Sequence, residues 1–436
     1  MSTPNSYSFV NPNKVPFFYG YVVLVIGSLG VLASIPGQTV GVSVFTDPVK
    51  DALGLSRNQF SNAYMIGTLL SAFFVSKAGL LFDRFGARYV AFGATILLGF
   101  SLMLCAVSVQ MSEHMQSFLD IHSWTVPFGI MCVLFFLIRF SGQGVLTMAS
   151  RNMIMLWFDK NRGKVNAVSS VTVSLGFSSS PLVMNYLIDN HGWERSWQIL
   201  AVGLFLFSFC ILQLYRNKPE DFNLVPDGVR KHIKKVADTP KQIVKDFTLT
   251  EAKRTRGFWM FGLILAFNSF FATGFTFHVV SIFATQGYDK SHAIAIFIPI
   301  SIIALSVSTC CNILSDYISH KIYLYIMLTA GVLAASGLIG LSHPLGIYGL
   351  VAGLGIMSGL FAVINAVTWP RYYGRLHLGA ISGKVMSFLV IGSAIAPSLF
   401  SYCFTTLGSY AYIGYIALAF LLFLILGSVV VKNPQQ

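Results

Sequence analysis

The stretch GLLFDRFGAR, Gly79–Arg88, places one acid and two bases between two long apolar runs. Its glycines, Gly79 and Gly86, suit a tight turn where helices approach closely. The chain around it decides what the turn is for. Of its 436 residues, 55% are hydrophobic and only 10% charged, and the mean hydropathy is +0.70. A soluble domain carries about 25% charged residues, so this chain cannot cover a water-facing surface. The composition predicts an integral membrane protein.

Twelve segments have the roughly 20 mostly apolar residues that a membrane helix needs. They lie at about 17–46, 58–78, 89–109, 124–149, 164–188, 196–215, 257–286, 291–314, 321–342, 345–369, 380–405 and 409–431. The first contains Pro36-Gly37 and is expected to kink there. It is too long for a signal-peptide core and reads as a retained helix. With the N-terminus taken as cytoplasmic, 24 of the 29 Lys and Arg fall on the cytoplasmic side. Four (Lys50, Arg57, Arg195 and Lys290) fall opposite, and Arg139 stays inside a span. That bias is what the positive-inside rule predicts for an even number of spans with both ends cytoplasmic. The net charge of +13 therefore reports orientation and contact with anionic lipid heads, and nucleic acid is not an expected partner.

The longest polar stretch, 216–256, divides the chain. The expected domains are an N-terminal six-helix bundle (1–215), a cytoplasmic central loop with a short amphipathic helix (216–256) and a C-terminal six-helix bundle (257–436). Near the end of the loop, TLTE (Thr248–Glu251) fits a capping box. An internal echo supports the division. In NILSDYISHK, Asn312–Lys321, Asp316 and Lys321 fall on Asp83 and Arg88 at a common offset of 233. Both stretches join the second and third spans of their half, as a parallel repeat would. The predicted fold is an all-α membrane protein with twelve transmembrane helices in two pseudo-symmetric six-helix bundles.

The first of these stretches resembles the loop signature of the major facilitator superfamily, with Gly79, Asp83, Arg84, Gly86 and Arg88 on its positions. RFSGQG, Arg139–Gly144, is similar to the family's fourth-helix pattern. Gly176 and Pro181 stand in a degenerate form of its fifth-helix motif, and WFDKNRGKVNA (157–167) resembles the usual loop after the fourth helix. KPEDFNLVPDG (218–228), DFTLTEAKRTRGFW (246–259) and WPRYYGRLHLGAISG (369–383) look like segments of oxalate/formate-antiporter-like and monocarboxylate-transporter-like members. The resemblance implies a monomeric secondary transporter in the plasma (inner) membrane, working by alternating access. Residues Gly79 to Arg88 would form a conformational latch, and Asp83 would meet a neighbouring helix N-terminus. Oxalate-type members use basic residues in helices 8 and 11. Here helix 8 has none and helix 11 has only Lys384 at its start, so a dicarboxylate clamp is disfavoured.

None of the 16 acids falls in the middle of a predicted span, so no buried carboxylate offers itself as a proton site. Arg139 is the one buried charge. Centring an Arg costs roughly 2.5–3.5 kcal/mol, and two readings stay open. It either holds a substrate anion through two parallel hydrogen bonds, or it bonds backbone carbonyls and Gln143 to set the helix. His278 is the candidate coupling group, since imidazole titrates near neutrality; the alternative is a simple helix-bridging bond. Spans 1, 4, 7 and 10 line the cavity in the superfamily, which makes Gln38, Arg139, Asn268, His278 and Asn365 the candidate substrate-binding residues by resemblance. For each, helix packing is the alternative.

The six cysteines lie in apolar segments without a CxxC pair. No nucleophile constellation, metal spacing or phosphate-binding glycine loop is present, so neither an enzyme nor a cofactor or metal is expected. The leading expectation is transport of a small organic anion, a monocarboxylate first, with protons or in exchange for a counter-anion. The rivals are efflux of a hydrophobic compound and a membrane solute sensor that does not transport.

Overall fold

The computed structural model describes residues 10–228 and 245–435; part of the expected central loop, 229–244, lies outside them. The elements are helical throughout. In chain order they are α1 (Gly20–Ala33), α2 (Thr39–Val44), α3 (Thr46–Ala52), α4 (Arg57–Ala106), α5 (Ser108–Leu119), α6 (Thr125–Ile138), α7 (Thr147–Trp157) and α8 (Arg162–Leu214). After these come α9 (Leu249–Lys253), α10 (Arg256–Ala284), α11 (Lys290–Ala295), α12 (Phe297–Leu314), α13 (His320–Ile339), α14 (Pro344–Tyr373), α15 (Leu378–Leu407) and α16 (Ala411–Ser428). Ten helical stretches among the described residues are long and apolar enough to cross a membrane. The fold is all-α and multi-pass.

Two of the ten are far longer than a bilayer requires. At about 1.5 Å per residue, α4 and α8 would each run for roughly 75–80 Å, against about 30 Å of hydrocarbon. Each is broken once. Gly86 (φ 79°, ψ 171°) interrupts α4 and Gly192 (φ 77°, ψ 164°) interrupts α8, in a backbone region that only glycine occupies without strain.

The described residues form two compact units. The first takes in those of Met1–Asp159, Thr172–Ile243 and Leu378–Ser387; the second takes in those of Lys160–Val171, Val244–His377 and Phe388–Gln436. In the first, α1 stops at Ala33, a 3-10 turn covers Ile35–Gly37, and α2 restarts at Thr39. This is the break that Pro36 predicted, because proline lacks the N–H that would continue the helix. In the second, Thr248 and Glu251 form the expected reciprocal capping box at the start of α9. Lys245 and Thr248 hold the Glu251 carboxylate well below its usual range, at about 2. Both units leave large apolar side chains about two-thirds open, among them Phe73, Leu206 and Phe209 in the first and Ile298 and Leu426 in the second. On helices whose backbone groups are bonded internally, that is the surface lipid requires.

Two stretches depart from expectation. Residues 110–123 read as a loop, yet α5 covers Ser108–Leu119. It is too polar to register as a span, and it contains no glycine or proline to break it. The fourth span runs beyond 149, as a continuous 33-residue helical stretch from Thr125 to Trp157. Within it, Arg139–Leu146 is π-helical, an irregularity that apolar periodicity does not announce.

Candidate functional site

The turn at Gly79–Arg88 has a defined task in the first unit. Asp83 accepts hydrogen bonds from the backbone N–H groups of Gly379 (2.7 Å) and Ala380 (2.8 Å), the second and third residues of α15. These are donors that a helix start leaves unpaired, and the carboxylate meets the positive end of the helix dipole. Gly79 lies against the Gly379 backbone, where a Cβ would clash with its carbonyl. Gly86 supplies the break. Arg84 is exposed over the Phe85 ring. Arg88 is 7% exposed, and its backbone N–H donates to Asn217 Oδ1 at 3.1 Å.

The repeated turn does the same work in the second unit. Asp316 accepts from the N–H groups of Gly163 (2.9 Å) and Lys164 (3.3 Å), the second and third residues of α8. Arg371 adds an ion pair at 3.0 Å. The offset of 233 therefore matches the two acids in hydrogen bonding as well as in position. Arg371 was not singled out from the sequence, since a lone Arg after Trp369-Pro370 carries no spacing signal.

Gln38 and Arg139 are brought together in the first unit. The 3-10 turn after α1 and the π turn between α6 and α7 pack backbone on backbone, so that a Cβ on Gly37 or Gly142 would come within 2.7 Å of the other's Cα. Arg139 Nη1 donates to Gly37 O at 3.1 Å, and its guanidinium lies 5.2 Å from the Tyr64 ring centroid. Tyr64 is held in turn by a 2.9 Å hydroxyl bond to Thr39. Gln38 Nε2 donates to Ser34 Oγ and Thr147 Oγ1, both at 3.0 Å. The carbonyl bond expected of Arg139 is present. The bond to Gln143 in that reading is not present among the described residues, where Gln143 Oε1 is buried without a partner. Arg139 is 1% exposed, and its Nε and Nη2 have no hydrogen-bond partner. Those two donors lie on one edge of the guanidinium, the fork that takes a carboxylate in parallel bonds.

The other three candidates lie in the second unit. His278 Nε2 donates to Pro397 O at 3.0 Å, and its Nδ1 lies 3.3 Å from Tyr410 Oη. Tyr410 donates to Ser281 Oγ at 2.9 Å, which leaves its oxygen able to accept from a protonated Nδ1. Phe400 stacks on the imidazole at 7°. Asn268 is buried with Oδ1 unpartnered. Asn365 is half-buried, and hydrogen bonds link it to neither Asn268 nor His278 among the described residues. Tyr410, Ser281 and Thr147 were missed in the sequence because single hydroxyls in apolar helices have no distinguishing pattern.

Comparison with known proteins agrees with this architecture. The chain matches the Major Facilitator Superfamily over residues 26–397. MFS transporter asaE of Aspergillus flavus is 28% identical over 153 residues, 35% of this chain and 31% of that protein. The uncharacterized MFS-type transporter YhjX of Escherichia coli is 23% identical over 231 residues, 52% of this chain and 49% of that protein. The chain thus spans about half or less of the length of the curated relatives it matches. Among solved structures, the fucose:proton symporter FucP of E. coli superposes with a TM-score of 0.63 at 15% identity, covering 94% of this chain and 98% of the other. The human organic anion transporter MFSD10 gives 0.59 at 15%, covering 94% and 100%; at such identity these are likenesses of fold alone. With the match running through both acid-capped turns and Arg139, the chain belongs to the Major Facilitator Superfamily.

Proposed function

We propose that this protein is a secondary active transporter, not an enzyme, that moves a small organic anion across the plasma (inner) membrane by alternating access. The observation that carries the anion reading is Arg139. Its guanidinium stays protonated, it is buried, and among the described residues two donors on one edge have no partner and no carboxylate is bonded to it. An incoming carboxylate would fill that fork. One fork suits a monocarboxylate, in keeping with the resemblance to monocarboxylate-transporter-like members. Gln38 would supply a further polar contact in the same unit, and Asn268 and Asn365 are the candidate contacts of the second unit. His278 would carry the coupled proton, since the Tyr410 oxygen can receive it.

In this reading the breaks at Gly86 and Gly192 divide α4 and α8 into two spans each, making twelve from the ten long helices. The spans form the six-helix bundles 1–215 and 257–436, joined by 216–256, with both termini cytoplasmic and the protein working as a monomer. Asp83 and Asp316 would act as paired latches, made and broken as the access side changes.

The test is uptake into proteoliposomes of labelled monocarboxylates, dicarboxylates, a neutral amino acid and a lipophilic cation, with and without a pH gradient. Monocarboxylate uptake is expected. Arg139→Lys keeps the charge but loses the fork, and should weaken apparent affinity at least about tenfold, or roughly 1.4 kcal/mol, with the melting temperature near that of the parent. Movement of the cation alone would overturn the anion reading.

A further inference from the structure

A second basic cluster lies away from Arg139, at one edge of the first unit. Arg216 is 3% exposed and Arg88 7%, both more enclosed than charged side chains usually are without a partner. Arg216 donates Nη1 to Tyr215 O at 2.7 Å and Nη2 to Val10 O at 2.6 Å, and its Nε is enclosed without a partner. Among the described residues, the Arg88 guanidinium has no hydrogen-bond acceptor. Its Nε is enclosed, and the small open part of the residue includes the terminal nitrogens. Tyr19 completes the group. Its hydroxyl is committed to Leu214 O at 2.8 Å, and its ring centroid lies 5.9 Å from the Arg216 guanidinium.

Among the described residues, no carboxylate is paired with this charge. The groups that act electrostatically on Arg216 are Tyr19 and Arg88, and burial together with Arg88 lowers its pKa from the usual value. Two like charges held out of water are costly, and among the described residues only the two carbonyls on Arg216 offset that cost. Their depth indicates what would. Tyr19 immediately precedes the span starting at Gly20, Arg216 follows the end of α8 at Leu214 by two residues, and Arg88 begins the helix after the Gly86 break. With the Gly86 break read as the end of a span, as proposed above, all three stand at a membrane boundary, the level of phospholipid phosphates, where basic pockets between helices hold anionic head groups.

We propose that Arg88 and Arg216, with Tyr19 as the wall, form a binding site for a phosphate group, supplied by an anionic phospholipid head group or by soluble phosphate. The Arg88 donors would bind the phosphate oxygens directly. Arg216, fixed by its two carbonyls, would add charge and its Nε–H. The site is independent of the transported substrate.

The experiment is thermal unfolding of the full chain in detergent with dioctanoyl phosphatidylglycerol, dioctanoyl phosphatidylcholine or inorganic phosphate. It compares the parent with Arg88→Gln and Arg88→Lys. Arg88→Gln removes no hydrogen bond to the protein, so the fold should survive. Phosphatidylglycerol is expected to raise the melting temperature of the parent by about 2–4 °C near saturation. Phosphatidylcholine should do so much less; Arg88→Gln should abolish the shift and Arg88→Lys retain part of it. An equal rise with inorganic phosphate alone would identify the soluble anion as the ligand of the same site. Equal shifts in the parent and Arg88→Gln, equal responses to the two lipids, or no response to any probe would overturn the proposal.

Discussion

At the residue scale, the chemistry concentrates in a few polar groups that the apolar helices must accommodate. Arg139 was identifiable in the sequence because a lone cation in a span is costly. Which of its donors are used depends on Gly37, 102 residues away. His278 is the other informative side chain. Its Nε2 is fixed on Pro397 O and its Nδ1 faces the Tyr410 oxygen, so it can gain a proton without moving its neighbours. If it carries the coupled proton, His278→Gln should leave anion exchange at equal pH within about twofold. The same variant should lose the stimulation of net uptake by an inward proton gradient. Undiminished stimulation, measured in the same proteoliposomes, would assign His278 a helix-bridging role.

At the element scale, the helices are defined as much by their interruptions as by their lengths. Gly86 and Gly192 have nearly the same backbone angles but different surroundings. A Cβ on Gly86 would run into the Asn217 side chain, whereas one on Gly192 would meet nothing within 4 Å. Gly192→Ala should therefore cost the backbone strain alone, about 1–3 kcal/mol. Gly86→Ala should cost more, because it also disturbs the Asn217 bond to Arg88 N. Thermal unfolding of the two variants should rank them in that order, and the reverse order would remove Asn217 from the account. Helix periodicity could not foresee the π turn at Arg139–Leu146. Within it Gly142 fits closely against the Gly37 backbone, which is a property of two segments and not of one.

At the scale of the whole molecule, orientation follows from charge. The 24-to-4 distribution of Lys and Arg puts Arg57 outside and Lys253 inside if both termini are cytoplasmic. Both side chains are exposed. In a background with the native cysteines replaced, Arg57→Cys should react with a membrane-impermeant maleimide on intact cells. Lys253→Cys should react only after permeabilisation, and the opposite pattern would invert the topology. The two acid-capped turns also act at this scale. Asp83 and Asp316 secure helix starts that are far away in the chain, 296 and 153 residues from the respective acids by their first bonded partners.

Composition alone determined that the chain must live in a membrane, because 10% charged residues cannot solvate a surface. Local pattern determined the break at Pro36, the cap at Thr248 and the repeated Asp83 and Asp316 turns, since proline, capping boxes and tight turns act over a few residues. Only the tertiary structure decided what those turns grip, which edge of Arg139 stays free, and that Arg88 is tied to Asn217, the residue after Arg216. Each of these depends on contacts between segments a hundred or more residues apart, where periodicity and spacing carry no information.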